Sequence, residues 1–162
     1  MSKLTHLDEH GAARMVDVSA KEASVREAQA EAIVVLSADA FAAVCGGAAP
    51  KGDVIAAARL AGIMAAKKTS ELIPLCHPIA LTQAAVEIEH LPERHALRIV
   101  TSTKTKAETG VEMEALTAAA IAALTIYDMT KAIDRGAVIE SVRLLSKSGG
   151  KSGSFAAPRR DR

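Results

Sequence analysis

Two stretches of strict alternation, Ala84–Leu91 ("AAVEIEHL") and His95–Thr103 ("HALRIVTST"), flank Pro92-Glu93-Arg94. A period of two puts one set of side chains on a core face and the other set opposite it, which is the pattern of a half-buried strand. The proline-containing break reverses the chain, so the pair reads as a β-hairpin. The flanking segments then fall into place. Val25–Leu36 alternates at first and ends in an apolar run, a third strand. Ser37 caps a short helix ending near Gly46-Gly47, and Asp53 caps a second, from Val54 to about Leu72, stopped by Pro74. The longest helical pattern runs from Glu112 to about Asp134 and ends at Gly136; Ala137–Ser148 is the last strand. The order β-α-α-β-β-α-β predicts a single α+β domain, a ferredoxin-like antiparallel sheet packed against helices. Residues 1–20 are expected to be a mobile N-terminal segment, 21–155 the catalytic α+β domain and 156–162 a disordered tail.

Composition narrows the function classes. The 162-residue chain carries a net charge of +1, so nothing global favours nucleic acid. It has two phenylalanines, one tyrosine and no tryptophan, which argues against stacking platforms for bases. With so few large side chains and so much alanine, the elements must approach closely, and an oligomer interface is expected to add buried surface. The opening "MSKLTHLDEHG" has no apolar run, so no signal peptide is expected. The stretch Ala115–Tyr127 holds two threonines and is too short for a bilayer span. Cys45 and Cys76 form no Cys-x-x-Cys pair, consistent with reduced thiols in a cytoplasmic protein.

Several short motifs can carry chemistry. Ser146–Gly153 ("SKSGGKSG") contains Gly-Lys-Ser, but Leu145 stands where a P-loop needs its first glycine and no helical pattern follows. What remains is a cationic, glycine-rich segment able to meet an anion, or else a solvated basic tail. Lys51 sits in a Pro/Gly loop just before a helix N-terminus, where a cation does not help the helix; it either awaits an anionic ligand or simply faces solvent. Cys76 and His77 ("LCHP") lie among apolar residues, as a core histidine would, and no further ligands stand at structural-zinc spacing. Glu112 and Glu114 favour the helix dipole and could also accept from the amide edge of a base. Asp128 and Lys131 share a helix face at i, i+3, as a surface ion pair or an acid/base pair. Glu112 and Asp128 are 16 residues apart, about 24 Å along one helix and roughly 160° around it. They cannot serve one small-molecule site within one chain, so a site using both must lie between subunits.

Together, "LTHLDEHGAARMVDVSAKEASVREAQAEA", "KGDV", "LIPLCHP", "TGVEMEALTAA", "ALTIYDM" and the "VRLL" and "KSGGKSG" stretches resemble the molybdenum cofactor biosynthesis protein C family, the cyclic pyranopterin monophosphate synthases. The resemblance runs from Leu4 to about Phe155. It implies an enzyme, a phosphorus–oxygen lyase of molybdopterin biosynthesis. Such an enzyme converts 3′,8-cyclo-7,8-dihydroguanosine 5′-triphosphate to cyclic pyranopterin monophosphate and releases pyrophosphate. It implies a cytoplasmic homohexamer, a trimer of dimers, with active sites between subunits, and no nucleic-acid or membrane partner. Motif by motif, Asp128 matches the catalytic acid/base, and Lys51 and Lys131 match essential lysines. Leu75, Cys76, His77, Met113 and Glu114 match substrate contacts, and Glu112 and Lys147 lie in motifs that line the pocket. No resident metal is implied; Mg2+ can accompany the triphosphate. Glu108 departs from the basic or neutral residue expected ahead of "TGVEMEAL", so no phosphate contact is carried to that loop. Two other readings make distinct claims: a nucleotide hydrolase or kinase using Gly150-Lys151-Ser152, which would turn over ATP or GTP, and a non-catalytic scaffold, which would tolerate Asp128→Ala.

Overall fold

The computed structural model describes residues 10–151 and 153–158. Its strands are β1 (Ser24–Val35), β2 (Gln83–Leu91), β3 (Ala96–Ala107), β4 (Val138–Ser148) and β5 (Phe155–Ala156), and its helices α1 (Ala38–Cys45), α2 (Val54–Ala66), α3 (Thr69–Leu72) and α4 (Glu112–Thr130). The sheet is antiparallel throughout, in the order β2-β3-β1-β4-β5, with the helices packed against it. This is the α+β arrangement expected from the sequence. The hairpin turns through a short 3-10 segment, Pro92–Arg94, and His95 takes a left-handed φ of 47° to re-enter β3. No described helix is long and apolar enough to cross a membrane.

Both long helices end earlier than the sequence suggests, and at each end a threonine hydroxyl bonds to carbonyls of the last turn. Thr69 Oγ1 donates to the carbonyls of Ala65 (3.3 Å) and Ala66 (3.1 Å), which satisfies the end of α2 and lets the chain turn at Lys67-Lys68. The separate α3 carries it on toward Pro74. At the end of α4, Thr130 Oγ1 donates to Ile126 O at 2.8 Å. Asp134, expected inside the helix, instead accepts from the backbone N–H groups of Ser37 (2.7 Å) and Gly136 (2.8 Å). The expected caps hold: Ser37 and Asp53 side chains accept from Ala40 and Ala56.

The core lies between the sheet and the helices. Ala28, Ala30, Ala32 and Val34 of β1 and Leu97 and Ile99 of β3 meet Ala115, Ala119, Ala122, Ala123 and Ile126 of α4. Alanine on both sides lets the α4 backbone come close to the sheet. The same holds between helices, where Gly62 of α2 faces α4. A Cβ on Gly62 would sit 2.9 Å from Val86 Cγ2 and 3.0 Å from Ala118 O, and the backbone carbonyl cannot swing aside.

Alternate threonines of β3 also face this side, and their hydroxyls hold backbone carbonyls of α4, its N-cap and the loop before β2. Thr101 Oγ1 donates to Ala115 O (2.8 Å), Thr103 Oγ1 to Val111 O (3.1 Å) and Thr105 Oγ1 to Ala80 O (2.6 Å). The first two seat the start of α4, which has no side-chain N-cap. The third fixes the segment that follows Cys76-His77.

The opposite face of the sheet is polar. On it, Glu31 is 1% exposed and accepts from Arg98 Nε at 2.8 Å and Arg143 Nε at 2.7 Å. Burial pushes the Glu31 carboxyl up, but the two guanidinium groups outweigh that and hold it below the usual range. A depressed folded pKa contributes stability above the unfolded value, and that contribution is lost as pH falls through the folded one.

Gly62→Val should destabilise the protein by about 1–3 kcal/mol through overpacking of the α2–α4 seam. Urea denaturation measures this, and an unchanged midpoint would show that the seam is loose. Glu31→Gln should cost about 2 kcal/mol, below the usual penalty for a broken buried pair because both arginines keep some solvent. Its loss should also flatten the acid limb of the stability–pH curve, read from urea midpoints between pH 3 and pH 7.

Candidate active site

The residues singled out in the sequence gather into two groups, one at each end of α4. The first is at its C-terminal end. Asp128 Oδ1 lies 2.7 Å from Lys131 Nζ, its i+3 neighbour, and Oδ2 lies 2.6 Å from Lys51 Nζ. Lys51 comes from the loop before α2, where Gly52 takes a φ of +92° that a side chain would strain. All three side chains are about half exposed. Hydrogen bonds from Lys131 and Lys51, with their charges, lower the Asp128 pKa from 3.8 to about 2. At neutral pH Asp128 is therefore a carboxylate, able to accept a proton, with two ammonium groups beside it.

The second group surrounds the N-terminal end of α4. Leu75, Cys76, His77, Glu112, Met113 and Glu114 all line one cavity of about 460 Å3. Lys147 reaches its edge from β4, with Nζ 2.8 Å from Glu112 Oε1. His77 Nε2–H donates to Val16 O at 2.6 Å, which fixes the orientation of the ring. The preceding glycine matters for Glu112: a Cβ on Gly110 would collide with the Glu112 carboxylate, which folds back over it.

The two glutamates of this cavity differ in charge behaviour. Glu114 is 3% exposed. Burial first, then the Glu112 charge, raise its pKa against a lowering backbone hydrogen bond. For Glu112, burial also raises, but the Lys147 hydrogen bond, a backbone hydrogen bond and the charges of Lys147 and Arg26 more than reverse it. One carboxyl holds its proton more tightly than usual and its neighbour less, the separation that lets a site offer a donor and an acceptor together. Burial and the Glu114 charge push the Cys76 thiol up, so it packs and lines rather than attacks.

No single-chain site joins the two groups, because the body of α4 separates them. Catalytic candidates Asp128, Lys131 and Lys51 form one cluster; the binding candidates, with Lys147, form the other.

Sequence reasoning missed Arg26, Lys21, Val16 and Val18. Val16, Val18 and Lys21 line the cavity; they come from a stretch without periodicity, where no local signal marks them. Arg26 did leave a signal, because it shares the inward parity of Ala28, Ala30 and Ala32 on β1, where a charge is out of place. Its guanidinium donates to Ala107 O (3.3 Å), Glu108 O (3.1 Å) and Gly149 O (3.4 Å), tying the loop before α4 to the turn after β4. Gly149 and Gly150, with φ of +96° and +74°, let that turn pass Arg26; a Cβ on Gly150 would meet its guanidinium. The "SKSGGKSG" segment is thus strand through Ser148 and glycine turn beyond it, while Ser152 lies outside the described residues. Glu108, out of pattern in sequence, borders a neighbouring hollow of about 400 Å3 beside Lys106.

The model of the MoaC family matches residues 15–150 of the chain. That span includes both ends of α4 and every residue of the two clusters.

A carbon-detected NMR titration should place the Asp128 carboxyl midpoint near 2 in the free protein. Replacing Lys51 and Lys131 by alanine should return it toward 3.8; a midpoint indifferent to both lysines would contradict the cluster.

Proposed function

Because the chain belongs to the MoaC family, which places it in molybdenum cofactor biosynthesis, we propose that it is a cyclic pyranopterin monophosphate synthase. In this reading it is a lyase that takes 3′,8-cyclo-7,8-dihydroguanosine 5′-triphosphate and forms cyclic pyranopterin monophosphate and pyrophosphate. The observation that carries the reading is the cavity at the start of α4. It collects the six binding candidates from two distant motifs, with Lys147 at its edge.

The assigned roles follow from the chemistry of each group. Glu112 and Glu114 offer two carboxyl groups of opposed proton affinity to the amide edge of a guanine-derived ring, and His77 adds a ring oriented by Val16. Lys147, with Lys21 nearby, supplies positive charge for phosphate oxygens. Asp128 takes a proton during ring opening and reclosure, and the Lys51 and Lys131 ammonium groups beside it can each donate one to the substrate, to be restored from Asp128. Closing the cyclic phosphate has a ribose-derived hydroxyl attack the α-phosphorus while pyrophosphate leaves, a step favoured mainly by positioning and charge stabilisation. Mg2+ enters only as a companion of the triphosphate's own oxygens, since Asp128 is held by two lysines and Glu112 by Lys147.

In this reading the complete site lies between two copies, one giving the Asp128 end of α4 and the other the Glu114 end, within a cytoplasmic homohexamer. Exposed Leu60 and Met64 of α2 and Leu124 of α4 are apolar surface suited to such a contact. The first test is turnover of the pure protein with the cyclic dihydro-GTP substrate, following pyrophosphate and pterin product. Wild type should make both and Asp128→Ala neither; a folded wild type that makes neither would remove the synthase reading. Mixing unfolded Asp128→Ala and His77→Ala chains and refolding them together should restore about a quarter of the wild-type sites, the statistical share for sites shared by two subunits. Inactive mixtures of folded oligomers would sink the shared site.

A further inference from the structure

Resting on that reading for its consequence in catalysis, we propose that the C-terminal segment 154–158 is a strap that positions Lys147. The strap is latched to the sheet by Arg143 and, through it, by the buried Glu31.

The argument starts from register. Between β1 and β4, Glu31 pairs with Arg143, Ala30 with Leu144, Gln29 with Ser146 and Ala28 with Lys147. Leu145 is skipped, a bulge that shifts the strand by one residue. Such a shift exchanges the two faces of a strand. Counting from Arg143, which points to the polar face with Glu31, an unbulged strand would send Lys147 to that same polar face. The bulge turns it to the helix side, where its Nζ meets Glu112. Whatever holds the bulge therefore decides whether Lys147 serves the cavity at all.

The C-terminal segment holds it. Ala157 N–H donates to the carbonyl of the bulged Leu145 at 2.7 Å. Ser146 and Lys147 pair with Ala156 and Phe155 in β5, immediately beyond the bulge. Immediately before it, Arg143 Nη1 donates to Pro158 O at 3.4 Å while its Nε stays on Glu31. One guanidinium thus joins a buried carboxylate to the strap. A lysine could answer the Glu31 charge but has no planar fork to serve both partners. Without the strap, Lys147 would stand near the end of an edge strand, next to two glycines with positive φ, where strand ends open readily.

Two variants test this without disturbing the core: a chain ended after Gly153, which removes the strap, and Arg143→Lys, which keeps a cation for Glu31. Hydrogen exchange of the Leu145–Lys147 amides should quicken by about tenfold or more in both, as expected for a segment that opens locally. KM for the triphosphate substrate should rise by about tenfold while kcat stays within about twofold, the signature of lost ground-state binding. Combining the two changes should be no worse than truncation alone, because they act through one contact path. Unchanged exchange overturns the strap, as does a fall in kcat with KM unaltered, or full additivity. If wild type shows no turnover, the synthase reading fails, and the exchange measurement alone decides the strap.

Discussion

The seating of α4 on the sheet governs the rest of the molecule. It is made possible by small residues: alanines on the facing surfaces of β1 and α4, and Gly62 on α2, where even a methyl group would meet a backbone carbonyl. Close approach brings the β3 threonine hydroxyls within reach of the first carbonyls of α4, so the helix start is fixed by the sheet rather than by a cap of its own. A rigid rod fixed in this way carries a chemically distinct cluster at each end. The distance between them is a property of the helix, and no loop movement closes it.

The two ends handle charge differently. At the C-terminal end, exposure and two lysines keep Asp128 ionised far below neutral pH. At the N-terminal end, burial does the opposite for Glu114, while Lys147 and Arg26 keep Glu112 ionised beside it. The same side-chain chemistry is thus shifted toward the carboxylate in one place and toward the acid in another. Arg26 also ties together, through backbone carbonyls, the two loops that border the Glu112–Lys147 pair. The polar face of the sheet connects to this site through Glu31, Arg143 and the β4 bulge, since the bulge turns Lys147 toward Glu112.

The alternating segments, the Ser37 and Asp53 caps and the order of elements were legible in the sequence, because each is a local consequence of side-chain periodicity or capping chemistry. So were the motifs that fill the cavity, and the impossibility of bringing Glu112 and Asp128 together on one helix. Helix ends were misjudged at Lys67-Lys68 and after Thr130, where Asp134 accepts from Ser37 and Gly136, a long-range choice of partner that periodicity does not register. Strand β5 was unforeseen because two residues show no pattern; only pairing to an existing edge makes them a strand.

The sequence alone determined the order of elements, the pairing of Asp128 with Lys131 on one helix face and the separation of Glu112 from Asp128, since these follow from spacing along the chain and from residue type. Tertiary structure decided the rest. It brought Leu75–His77 against the start of α4, opposed the proton affinities of Glu112 and Glu114, and put Arg26 between two loops. It also turned Lys147 to the helix side through a skipped residue. These outcomes depend on burial and on pairing between segments remote in sequence, and neither is written in any local run of residues.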